Sequence, residues 1–254
     1  MKKETSLKSL LKTKKVDIIY HEGNERWCAP KGTQQWKPSV TTFLGATLNK
    51  GIGYDTWLGN STSYKEACKE RDVAAQRGTI VHNLCEQLLK EGTLSIPEDI
   101  NQSFGEAVSK RMMSFEFWYK QHAPDIVTTE YKLYHPSLPF SGTPDILCII
   151  NNKLCLIDIK TGSPYLTHQL QLTCYKMLWD AIFPEYPISE MYGLYLKDKW
   201  ISKVEPQFKK YKYTPEVVNS VYEVWTWLFG GKPWPKSKYP VKLSFSIKEK
   251  EENL

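Results

Sequence analysis

Two apolar runs separated by Asn151-Asn152 constrain this chain more than any other feature. The stretch reads Ser141-Gly142-Thr143-Pro144-Asp145-Ile146-Leu147-Cys148-Ile149-Ile150-Asn151-Asn152-Lys153-Leu154-Cys155-Leu156-Ile157-Asp158-Ile159-Lys160-Thr161-Gly162. Asn tolerates the positive φ of a primed two-residue turn, so the pair predicts a β-hairpin. Counting outward from the turn sets Ile150 opposite Lys153, Cys148 opposite Cys155 and Asp145 opposite Asp158. Opposed residues hold their Cβ atoms about 4.5–5.5 Å apart on one face, and Lys160, two residues on, projects from the same face. The other residues of both runs are apolar on both faces, which predicts strands at the centre of a covered sheet.

Two carboxylates opposed in an apolar surround repel each other and are costly to desolvate unless a cation or a proton joins them. A hard divalent metal suits such a pair, with Lys160 placed to orient a water or to stabilise developing negative charge. The competing reading is a structural salt-bridge cluster of Asp145, Asp158 and Lys160. Two helical pairs point to the same place. His82 and Glu86 stand at i and i+4 beside the apolar stripe of Val81, Leu84, Cys85 and Leu88, a spacing that can add a metal ligand or a phosphate-facing donor. Gln171 and Tyr175 repeat the spacing and offer an amide and a phenol. Glu130, on the preceding strand, either faces the cluster or is exposed.

Around this motif the pattern alternates between periods. Residues 1–15 read as a frayed or weakly helical basic arm, 16–21 as a short strand, and Ser39 as the cap of a helix reaching about residue 48. Helical spacing fills 61–122 with breaks near Gly78, where Arg77-Gly78-Thr79 would open a new helix, and across 92–97. Strands are expected at 125–135, 142–150 and 153–160, a helix at 165–183, a hairpin from 191–197 and 200–205, and a last helix at 215–229. The layout is α+β (mixed α/β) around one sheet. It divides as an arm (1–15), one domain (16–231, helical part 39–122, sheet core 125–205) and a basic tail (232–254).

Charge is unevenly spread over the 254 residues. Residues 1–15 carry +5, 197–213 carry +4 and 232–254 carry +3, which leaves −6 for the rest against a total of +6. The sharp reading of basic, partly aromatic segments around an acidic body is a polyanion partner; the bland one is lysine used for solubility. Lys199, Trp200, Lys209, Lys210, Tyr211 and Tyr213 are among the lysines and aromatics of 197–213 that such a partner would meet. The six cysteines form no CxxC pair and no His/Cys cluster at zinc spacing. With no apolar span and no signal-like N-terminus, the expectation is a soluble, intracellular protein without membrane contact.

These residues resemble the PD-(D/E)XK nuclease superfamily, and more narrowly its RecB-like exonuclease branch. Pro144-Asp145, twelve residues, then Asp158-Ile159-Lys160 matches the superfamily signature, and the RGT-x-x-His-x-x-x-Glu element from Arg77 to Glu86 and Gln171-Leu172-x-x-Tyr175 follow the branch in order. Pro38-Ser39-Val40-Thr41-Thr42 is similar to phage exonucleases and mitochondrial genome maintenance exonucleases. The resemblance implies a restriction-endonuclease-like αβββαβ core and hydrolysis of DNA phosphodiesters with Mg2+ or Mn2+. By that carry-over Asp145, Asp158, the Ile159 carbonyl and His82 hold metal, Lys160 positions the attacking water, and Gln171 and Tyr175 organise the site. Glu86 and Glu130 are secondary, and Ser39, Thr41, Thr42, Arg77, Thr79 and Thr161 contact DNA. The cysteines of the branch's iron–sulfur members are absent, so no such cluster is expected. The expected activity is exonucleolytic, from single-stranded ends, in recombination, repair or viral genome processing, with a recombination or replication protein as a further partner. The alternatives are a structure-selective endonuclease of the same fold and a non-catalytic DNA-binding recombination accessory protein.

Overall fold

A computed structural model describes residues 2–21, 26–48, 52–94, 96, 98–198 and 204–229. The elements run α1 (Lys2–Thr13), β1 (Ile18–His21), β2 (Trp27–Pro30), β3 (Lys37–Pro38), α2 (Val40–Thr47), α3 (Ile52–Asn60), α4 (Tyr64–Glu91), α5 (Glu98–His122), β4 (Asp125–Thr129), β5 (Leu133–Tyr134) and β6 (Ser141–Gly142). They continue with β7 (Ile146–Ile150), β8 (Lys153–Lys160), α6 (Leu166–Ile182), β9 (Glu190–Tyr195), β10 (Gln207–Tyr211) and α7 (Pro215–Phe229). The central sheet has the order β10-β9-β8-β7-β4. All its pairs are antiparallel except β8 with β9, which are parallel. A parallel pair needs a crossover, and α6 supplies it. The protein is therefore a mixed α/β fold with helices on both faces of a mixed five-stranded sheet, and α5-β4-β7-β8-α6-β9 follows the expected αβββαβ order.

Period-two alternation divides β7 and β8 between two cores. Ile146, Cys148, Ile150, Cys155, Ile157 and Ile159 face a layer of α4 and α5, where Val81, Phe115 and Trp118 are buried. Leu147, Ile149, Leu154 and Leu156 face the opposite layer, with Leu172, Trp179, Phe43 and Trp225. Each such fully buried side chain contributes about 1.5–3 kcal/mol. Asp145, Asp158 and Lys160 have the parity of the second group, so they lie on the α6 side, where the strands run out of core.

Several boundaries differ from expectation for identifiable reasons. Helix α4 is continuous through Gly78, where the sequence suggests a break; a Cβ at Gly78 would lie 3.3 Å from Thr161 Oγ1, so this glycine serves close approach rather than a helix end. Helix α4 stops instead at Gly92, whose φ of +72° caps it in the left-handed region. Its first half, residues 64–76, is exposed apart from Ala67 and Cys68. The strand expected over 125–135 ends at Thr129, because Glu130 takes φ +48°. The one expected over 142–150 is interrupted ahead of Ile146, where Pro144 has no N–H for a ladder, and Ser141–Gly142 pairs with Leu133–Tyr134. The second arm of the late hairpin is β10, displaced toward the C-terminus from 200–205; residues 199–203 and the tail 232–254 lie outside the described residues. Of the two readings of the N-terminal segment, frayed or weakly helical, the helix is found, and it is packed: α1 buries Leu7 and Leu11 in the α6-side core. No helix among the described residues is long and apolar enough to cross a membrane.

Candidate active site

The hairpin closes on Asn151 (φ +50°) and Asn152 (φ +59°), the two left-handed residues of a type I′ turn. Its register is the counted one: Cys148 opposes Cys155 and Ile146 opposes Ile157, which brings Asp145 level with Asp158. Both carboxylates are buried, Asp158 at 2% exposure and Asp145 at 9%. Asp145 Oδ2 accepts from Ile159 N–H at 2.6 Å, and the Asp145 carbonyl accepts from Glu130 N–H at 3.0 Å. The bend at Glu130 is thus tied to the residue it must approach.

Helix α6 completes this face. Gln171 Nε2 donates to Asp158 Oδ1 at 3.2 Å and to the Tyr175 hydroxyl at 3.0 Å, while its Oε1 accepts from Lys160 Nζ at 3.0 Å. Lys160 Nζ also lies 2.5 Å from Asp158 Oδ2. With an ammonium donor on one side and a carboxylate acceptor on the other, the amide has one consistent orientation. Burial alone would lower the Lys160 pKa, but Asp158 and Asp145 hold it above its ordinary value, so the group is an ammonium at neutral pH. Burial raises Asp158, with Asp145 adding to the shift and Lys160 opposing it. Gly142 is needed here because a Cβ would sit 2.5 Å from Tyr175 Cε1.

Helix α4 arrives from the opposite layer and places His82 Nδ1 3.3 Å from Asp145 Oδ1. Burial would lower the His82 pKa, but Asp145, with Asp158 behind it, pushes it up to about 9. Burial, and after it the Asp145 charge, pushes Glu130 up to about 8. Burial would likewise raise Asp145, but His82, Lys160 and the Ile159 amide hold it below the usual carboxylate range. One ligand atom from each of His82, Glu130 and Asp145 falls within 4.8 Å of the others. Asp158 Oδ2 is buried and faces the Lys160 ammonium. The Asp145 carboxylate, the Glu130 carboxyl that burial keeps protonated and the His82 imidazole are a hard-oxygen and nitrogen donor set that fits a divalent cation. Glu86 is turned to Lys90, at 2.5 Å.

The remaining candidates fall into three places. Ser39 caps α2, its Oγ accepting from Thr42 N–H at 3.2 Å, and Thr42 Oγ1 accepts from Arg26 N–H; Thr41 is exposed. Arg77, Thr79 and Thr161 lie where α4 passes the end of β8, and Arg77 Nε is buried without a partner. On β10, Lys209 is exposed with its ammonium 4.9 Å from the Tyr211 ring, Lys210 is held by Glu190 at 2.8 Å, and Tyr211 is buried with its hydroxyl 2.5 Å from that of Tyr195. Tyr213 is exposed, beside Lys176. Lys199 and Trp200 lie outside the described residues. No pattern in the sequence points to Arg111, whose buried guanidinium meets Asp198 at 2.9 Å and the Thr161 carbonyl at 3.3 Å, or to His168, whose Nδ1 meets the Tyr195 hydroxyl at 2.8 Å.

No family model matches the chain, and no curated protein matches it. Among solved structures, an alkaline exonuclease from Laribacter hongkongensis is similar at 11% identity and a TM-score of 0.40, covering 77% of this chain and 87% of that one. The structure of LHK-Exo in complex with dAMP is 14% identical with a TM-score of 0.36, covering 60% of this chain and 77% of that one. At such TM-scores the functional reading rests on the site itself.

Proposed function

We propose that this protein is a metal-dependent nuclease that hydrolyses DNA phosphodiesters, and that it works as an exonuclease on single-stranded ends. The observation that carries the reading is the buried Asp145–Asp158–Lys160 group with Gln171 bonded to two of its members. A structural ion-pair cluster would not need a histidine and a third carboxyl gathered beside Asp145. Asp145, Asp158, His82 and Glu130 would hold Mg2+ or Mn2+, which supplies Lewis acidity and a bound water of lowered pKa.

The chain's own groups do the rest. Lys160, kept cationic, donates to a phosphate oxygen or to the attacking water and stabilises charge that develops on the phosphate. Gln171 holds that ammonium and Asp158 at fixed separation, and Tyr175, packed on Gly142, holds Gln171. Thr161, Arg77 and Lys209 would meet neighbouring phosphates. Asp158→Ala and Lys160→Ala are each expected to lose at least about a thousandfold in cleavage rate with the fold kept, read on end-labelled oligonucleotides with Mg2+, Mn2+ or EDTA. Undiminished metal-dependent cleavage by either variant would remove the assignment. A closed circular single strand, left intact by an exonuclease, separates this reading from the endonuclease one.

A further inference from the structure

Gln171 has a second side. Where α2, α3 and the start of α6 meet, it closes one end of a cavity of about 340 Å³ walled by Leu44, Leu48, Tyr54, Tyr165 and His168, with Thr41 at its edge. Among the described residues its walls are mostly apolar and contain no carboxylate, ammonium or guanidinium. His168 does not alter this: burial, with Lys160 and Lys209 beyond it, lowers its pKa to about 4. Its Nδ1 accepts from Tyr165 N–H at 3.3 Å, which assigns the ring hydrogen to Nε2 and leaves a neutral donor. A charge-free, aromatic-walled hole is a poor place for phosphate. It suits a flat heteroaromatic group carrying a few hydrogen-bonding edges, which Thr41 and His168 can meet. Its volume is at the low end for small-molecule sites, about 300–1,000 Å³, enough for one base with its sugar but not for a stacked base pair. The same Gln171 amide is bonded to Asp158 and Lys160 on its other side.

We propose that this cavity receives the unpaired base of the nucleotide adjoining the phosphate at Asp158 and Lys160, a step that rests on the nuclease reading. The cavity would then select strands whose terminal base is free to leave its partner, because a paired base cannot enter.

Gly45 provides the test. It lines the cavity, and a Cβ there meets nothing within 4 Å, so Gly45→Phe fills the space without moving backbone and Gly45→Ala leaves it open; both replace a helical glycine by a better helix former. Single-stranded oligonucleotides with 2-aminopurine at either terminal nucleotide are titrated with Ca2+ present, and cleavage with Mg2+ is followed in parallel. Quenching of one terminal probe by wild type and Gly45→Ala, at least tenfold weaker with Gly45→Phe, is the expected result. Tyr165→Ala, which removes a half-exposed ring, gives an independent second loss. Quenching by Gly45→Phe equal to wild type, or equal quenching of a blunt duplex carrying the same probe, overturns the proposal. Cleavage by wild type without any terminal quenching also overturns it while the nuclease reading stands. Quenching lost in Gly45→Phe, with no cleavage by wild type of any DNA, sinks the nuclease reading and keeps the base site.

Discussion

His82 and Glu130 both hold protons more tightly in the folded chain than in the unfolded one, at about 9 and about 8 against ordinary values near 6.5 and 4.3. Between those limits the native state binds more protons than the unfolded state, so stability falls as pH rises. The contribution of each group is complete below its unfolded pKa and lost as pH passes its folded one; Asp145, shifted downward, acts only at the acid end. Thermal melts in EDTA should therefore show Tm decreasing from about pH 6.5 to pH 9, with a shallower slope in Glu130→Gln; below that range the lowered His168 acts in the opposite direction. Mn2+ should reverse the trend, because a cation displaces both protons and binds better as pH rises; a Tm gain from Mn2+ that is constant over pH 6–9 would contradict this donor set. Close packing makes a second prediction. Gly142→Ala forces a methyl to within 2.5 Å of the Tyr175 ring and is expected to cost about 1–3 kcal/mol in urea unfolding, with reduced cleavage because Tyr175 supports Gln171.

Among the elements, the β7–β8 hairpin is legible in the sequence because its determinants are local. Asn151 and Asn152 set the turn, alternation sets the faces, and the register that opposes the carboxylates follows from both. Replacing Asn152 by Val, which disfavours positive φ, is expected to destabilise the chain by about 1–2 kcal/mol, whereas Asn152→Gly should be neutral or stabilising; chemical denaturation distinguishes them. Gly78 misleads because its partner, Thr161, is distant in sequence, and nothing in Arg77-Gly78-Thr79 says whether the glycine ends a helix or lets one pass close. Glu130 is ambiguous for the same reason: its bend is fixed by a hydrogen bond from its amide to the Asp145 carbonyl, which no local pattern encodes. His168, Tyr54 and Tyr165 carry no signal because three helices must first pack before they share a wall.

For the whole molecule, the uneven charge acquires a position. The acidic remainder includes Asp145, Asp158 and Glu130, while Lys209 and Lys212 stand exposed on and just after β10, an edge strand of the same sheet. Lysines there also discourage edge-to-edge pairing with another chain, so their presence alone does not assign them to DNA. Lys209→Gln with Lys212→Gln decides between the two roles. If they meet phosphates, the slope of log affinity against log salt falls by about one for each lysine that neutralises a phosphate; an unchanged slope with increased aggregation assigns them to edge protection. Helix α4 adds a mechanical consequence. Only its second half rests on the sheet, and from His82 back to Tyr64 is eighteen residues, or about 27 Å of rod at 1.5 Å per residue. Such a lever magnifies: a tilt of about 5° where His82 meets Asp145 carries the far end through roughly 2 Å, so a spectroscopic label on the exposed half would register events at the acidic cluster without touching it.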